Sequence, residues 1–173
     1  MLVAPYLDTL LLLMVAAAAI NDLASRRIPN LLLLSGLVAA LALHLLSPNP
    51  AAALLSCLGG AAAGLALFLP FYLARGMAAG DVKMMATVGA FTGPLAALHI
   101  AILSWCAGGV MALAIIICRG RLRLALANLW AIVRPAMLRL PAAPAAGRES
   151  AGSMPYGVAI AAATIYVVMG RYA

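Results

Sequence analysis

Acidic residues are nearly absent from this chain. Among 173 residues there are four, Asp8, Asp22, Asp81 and Glu149, against eleven Lys or Arg. Charged residues of both signs make up 9%, where soluble domains carry about 25%. A soluble globule of this size lacks the polar coat it would need, so that class is excluded. Disordered chains are polar and charged, so that class is excluded too. Cysteine is also scarce. Cys57, Cys106 and Cys118 form no CxxC and have no ligand spacing, so they are expected to be buried small hydrophobes.

What is present is apolar surface. Hydrophobic residues make up 67% and the mean hydropathy is +1.14. The expected fold class is an all-α integral membrane protein, one domain over 1–173. At about 17–25 residues per span, the apolar runs predict six spans. The first is centred on Leu10–Ile20 and starts near Tyr6. The others are Ile28–Leu46, Ala51–Leu73, a shorter Asp81–Phe91, Leu95–Cys118 and Pro155–Met169.

The net charge of +7 does not point to nucleic acid, which needs an exposed polar surface with base-reading groups. It follows the positive-inside rule instead. Arg26, Arg27, Arg75, Lys83, Arg119, Arg121, Arg123, Arg134, Arg139 and Arg148 all fall on one side if the chain crosses six times, and Arg171 alone does not. Both termini are then outside the cytoplasm. The first span lacks the basic flank of a signal peptide and is read as retained. Between spans five and six, 119–153 is expected to be cytoplasmic. Its first half mixes Arg with Leu122, Leu126, Leu129 and Trp130 and reads as an interfacial amphipathic helix or a plain orienting loop. Its second half, 141–153, reads as a Pro/Ala/Gly/Ser linker.

Ionisable groups near spans are functional candidates. Asp22 closes the first span and Asp81 opens the fourth, at one membrane depth on one side. Two converging carboxylates can share a proton and activate water. A helix C-terminus disfavours a charged Asp22 and a helix N-terminus favours a charged Asp81, so Asp22 is expected to be the protonated member. The plainer reading makes Asp81 an N-cap and Asp22 a solvated loop residue. Lys83 either steers substrate or anchors its helix at the headgroups. Gly59, Gly60 and Gly64 predict close helix packing, and His44 and His99 predict interfacial or packing roles.

Three stretches occur in order: Asp22-Leu23-Ala24-Ser25-Arg26-Arg27-Ile28-Pro29-Asn30, then Ala78-Ala79-Gly80-Asp81-Val82-Lys83, then Pro155-Tyr156-Gly157-Val158-Ala159. Together they resemble the GxGD-type aspartic peptidases of the prepilin peptidase family, in the short peptidase-only form associated with Flp-type (tight adherence) pili. The family's patterns are like D-L-R-x-x-x-I-P-N, G-x-G-D-V-K and P-Y-G-x-A. Two positions depart: Ala24 replaces the usual Arg, and Ala78 replaces the first Gly, which matters if position 78 needs φ > 0.

The resemblance implies an aspartic endopeptidase with Asp22 and Asp81 as catalytic residues. Gly80, Lys83, Pro155, Tyr156 and Gly157 would bind substrate or shape the site, and no metal or cofactor is involved. It implies a prepilin or pseudopilin substrate with a basic leader, cut at the cytoplasmic face of the bacterial inner membrane. Without paired Cys motifs, the methyltransferase activity of longer relatives is not expected. The alternatives are a small transporter and a non-catalytic assembly subunit of a pilus or secretion system. Acids at helix ends, not mid-span, argue against the transporter.

Overall fold

The computed structural model describes residues 3–74, 76–124, 126–127, 130 and 154–172. Its six long helices are α1 (Val3–Ser25), α2 (Asn30–Leu45), α3 (Pro50–Leu73), α4 (Ala79–Thr92), α5 (Pro94–Cys118) and α6 (Tyr156–Met169). Among the described residues there is no strand. By length and apolar composition α1, α3 and α5 can each cross a bilayer, while α2 and α6 are shorter apolar helices. With 14 residues, α4 is about 21 Å long, short of the roughly 30 Å hydrocarbon core.

The helix limits have local causes. Asn49 caps α3 by accepting from the Ala52 N–H at 3.4 Å, and Pro50 takes the first helical position, where its missing N–H costs nothing. Gly93, at φ 81°, turns the chain between α4 and Pro94 at the start of α5. The first helix runs past its apolar run because its polar residues bond back to the helix. Asn21 donates to the Ala17 carbonyl at 2.8 Å and Ser25 to the Asn21 carbonyl at 2.9 Å. The helix stops at Arg26, which has φ 54° and donates its N–H to the Asp22 carbonyl at 3.0 Å, a left-handed C-terminal cap.

The chain divides into two compact units, Met1–Gly108 with Pro155–Ala173, and Gly109–Met154. In the first, α4 is the central helix. It packs against α1, α2, α3 and α6, and most of its residues from Asp81 to Phe91 are buried. Its closest partner is α3. The buried stripe of α3 is Cys57, Gly60, Gly64 and Phe68, and a Cβ at Gly60 would collide with the backbone of Gly89, one at Gly64 with that of Met85. Gly59 makes no such approach. A Cβ there would meet only the Pro94 ring at 3.9 Å, so the expectation holds for two of the three glycines.

The buried face of α1 includes Asp8, Leu11, Val15, Ala18 and Asp22, a 3–4 spacing that keeps one stripe inward. Both acids of α1 therefore face inward, about 21 Å apart along the axis. At one end the Asp8 carboxylate accepts from Arg171 Nη1 at 3.0 Å and from the Tyr172 hydroxyl at 2.7 Å. Arg171, the cation that departs from the charge pattern, is thus neutralised just beyond α6. At the other end Asp22 meets the start of α6, so α1 and α6 run antiparallel. His44 is buried with Nδ1 2.8 Å from the Ala40 carbonyl, a packing role. Cys57 is buried, but Cys106 and Cys118 are exposed, against expectation; Cys106 lies off the buried stripe of α5, which is Ala97, Ile100, Ala101, Ser104 and Gly108.

The second unit contains the end of α5, Gly120 at φ 64°, and helical residues at 122–124, 126–127 and 130. Leu122, Leu126 and Trp130 are exposed, as an interfacial helix needs. Arg75, Leu129, Arg134, Arg139, Arg148, Glu149 and the 141–153 linker lie outside the described residues.

Candidate active site

Each of the three sequence motifs sits at a helix terminus at the same end of the first unit. Asp22 lies in the last turn of α1 and is 6% exposed, so it is not a solvated loop residue. Its Oδ2 accepts from the Gly157 N–H at 2.8 Å. Gly157 is the second residue of α6, so the donor is one of the free N–H groups of a helix N-terminus. No side chain at position 157 leaves that approach open. A Cβ there would lie 2.9 Å from Asp22 Oδ2 and 3.2 Å from its Cβ.

Asp81 is also 6% exposed. It is not the N-cap of α4. That position is Ala78, and Asp81 is the third helical residue, where its side chain can turn back toward the Ala78 amide. Ala78 has φ −79° and ψ 150°, ordinary extended backbone, so the departure from Gly imposes no strain here. Gly80 has no positive φ, and a Cβ on it would touch Ile28 at 3.5 Å, an ordinary contact. The helix that Asp81 opens, α4, packs against both α1, which carries Asp22 in its last turn, and α6, which starts at Tyr156. The three motifs therefore lie at one end of three mutually packed helices.

Tyr156 is fixed from two sides. Its hydroxyl donates to the Ser104 carbonyl of α5 at 3.1 Å, and its ring stands edge-on to Phe68 of α3, centroids 6.0 Å apart. Gly108 makes room for the ring, since a Cβ there would collide with it. Phe68, Ser104 and Gly108 belong to no motif, and their positions in uniformly apolar helices give no signal that they support the site. Pro155 is the N-cap of α6 and not its first helical residue.

Lys83 points elsewhere. Its Nζ donates to Asn30 Oδ1 at 3.1 Å, tying the second motif to the end of the first on the α2 side of α4. A cavity of about 1000 Å³ lies near the Asp8 end, lined in part by Gly93, His99, Tyr166 and Arg171. Neither Asp22 nor Asp81 lines it, so its size is no reason to place the chemistry there.

The arrangement leaves Asp22 and Asp81 each beside a helix N-terminus, α6 for one and α4 for the other. The helix-end argument for a protonated Asp22 and an ionised Asp81 set the C-terminus of α1 against the N-terminus of α4, and the N-terminus of α6 beside Asp22 opposes the contribution of α1. Two buried carboxyls at one end of the bundle can divide the work, one taking a proton from water and the other giving one to a leaving group. Among the described residues there is no group of three or more His, Cys, Asp or Glu placed to hold a metal ion.

No curated protein and no solved structure matches the chain significantly. The sequence model of the type IV leader peptidase family matches residues 9–113. That is more than half of the chain and includes both aspartate motifs. The Pro155–Ala159 stretch lies beyond the match and is joined to it by the Gly157–Asp22 hydrogen bond. On the strength of that match, the chain belongs to the type IV leader peptidase family.

Proposed function

We propose that this protein is an aspartic endopeptidase of the bacterial inner membrane that removes the basic leader of Flp-like type IV prepilins or pseudopilins at the cytoplasmic face. Asp22 and Asp81 are its catalytic pair. The observation that carries this reading is the hydrogen bond between Gly157 and Asp22, 135 positions apart, which joins the first and third motifs beside α4, the helix that carries Asp81, in a chain of the type IV leader peptidase family. The one-sided distribution of Lys and Arg supports six crossings with this end at the cytoplasmic face.

In the reaction, the ionised carboxylate takes a proton from water as its oxygen attacks the scissile carbonyl. The protonated carboxyl donates a hydrogen bond to the developing oxyanion. Collapse of the tetrahedral intermediate breaks the C–N bond, and a proton from the pair goes to the leaving amine. One proton enters the pair and one leaves it, so the pair is restored for the next turnover.

The test is the purified protein in detergent micelles with a candidate Flp-type prepilin, followed by the mass of the product. The expected result is a shortened pilin with the wild type and unprocessed prepilin with the Asp22→Asn/Asp81→Asn double variant. Equal leader removal by both would refute the assignment. A further variant probes the Gly157 contact. Gly157→Ala places a methyl group against the Asp22 carboxylate, and displacing a reacting group by about 1 Å costs roughly a hundredfold in rate. We expect that loss in kcat, with a thermal midpoint close to wild type. A kcat within threefold of wild type would show that the contact does not position Asp22.

A further inference from the structure

On the α2 side of α4, away from Asp81, a groove of about 560 Å³ runs between α2, α3 and α4. Its walls include Leu31, Leu34, Leu37 and Leu65, and Lys83 and Asn30 stand at its polar end. Lys83 is exposed and gives one N–H to Asn30 Oδ1. Its ammonium carries two further donors, and the Asn30 amide nitrogen is also a donor. Among the described residues the one ion pair is Arg171 with Asp8, so Lys83 has no carboxylate partner.

We propose that this groove binds one anionic phospholipid, its phosphate on Lys83 and Asn30 and an acyl chain along Leu34, Leu37 and Leu65. Charge and shape select this occupant. The polar end supplies donors and a positive charge but no acid, and the remainder is hydrocarbon. The site lies beside the helix that carries Asp81, yet the proposal does not depend on peptidase activity.

Purified protein titrated with phosphatidylglycerol and with phosphatidylcholine of matched chains, with bound lipid counted by native mass spectrometry, tests it. One lysine near the headgroup predicts about fivefold tighter binding of phosphatidylglycerol. Lys83→Met should abolish that preference. Arg27→Met removes the same charge from an exposed position outside the groove and should keep it. Leu34→Trp, which fills the groove, should weaken both lipids. Equal binding of the two lipids by wild type, or equal loss in Lys83→Met and Arg27→Met, overturns the proposal. Displacement of phosphatidylglycerol by equimolar inorganic phosphate, or by a prepilin helix peptide, also overturns it, because the groove would then belong to another ligand.

Discussion

Asparagine at position 22 or at position 81 is expected to lower leader removal about a thousandfold, and asparagine at both positions is expected to lower it little further. The size follows from general acid–base catalysis, which contributes roughly 10²- to 10⁴-fold per positioned group. The lack of additivity follows from the pair acting as one unit: once either member is lost, the other has no partner with which to exchange the proton. Asparagine suits this test at position 22, because its side-chain oxygen still accepts from the Gly157 N–H that Asp22 binds at 2.8 Å. The fold should survive while the chemistry is lost. Initial rates of prepilin shortening, measured for both single variants and the double variant, decide the matter. Wild-type rates in either single variant would end the two-carboxylate mechanism, and independent losses that multiply would mean that the residues do not act on one proton.

The second large effect is on stability. Gly60→Ala is expected to destabilise the protein by about 3 kcal/mol or prevent its accumulation, whereas Gly59→Ala, one residue away on the same helix, is expected to be neutral. At Gly60 the added methyl would collide with the Gly89 backbone and lie 2.9 Å from the Gly93 carbonyl carbon. Backbone cannot swing aside as a side chain does, so overpacking here costs the upper part of the usual range. At Gly59 the nearest atom is Pro94 Cγ at 3.9 Å, and alanine adds helix propensity. Thermal unfolding in one detergent compares the two variants. Similar midpoints would show that α3 and α4 do not depend on this close approach. Because α4 carries Asp81, the same change should also reduce leader removal.

Most helix limits were legible because they follow from run length and local punctuation. The expected third span, Ala51–Leu73, is the helix Pro50–Leu73, and the expected fifth, Leu95–Cys118, is Pro94–Cys118. Proline, glycine and Asn49 mark these ends whatever the surroundings. The end of α1 was less legible. Its apolar run stops at Ile20, but Asn21 and Ser25 bond to carbonyls of their own helix, which extends it through Asp22. Helix faces were legible only where glycine marked close packing, at Gly60 and Gly64. In lipid an apolar residue is tolerated on every side, so no polar face marks the outside. That is why the roles of Phe68, Ser104 and Gly108, and the different environments of Gly59 and Gly60, had no precursor in the pattern.

The sequence by itself determined that this is a helical membrane protein, that Asp22 and Asp81 are the acids within recognisable motifs, and that each lies at a helix terminus, one closing α1 and the other opening α4. Composition and spacing suffice for that, because charge is costly in hydrocarbon and four acids leave few candidates. Only the tertiary structure decided what each acid meets. Asp8 has no motif, and it neutralises Arg171 at the opposite end of α1. Asp22 receives the N-terminal N–H of α6 from 135 positions away, and Lys83 turns away from Asp81 toward Asn30. Such pairings depend on which helix packs beside which, and close backbone approach through glycine selects those neighbours in ways hydropathy does not record.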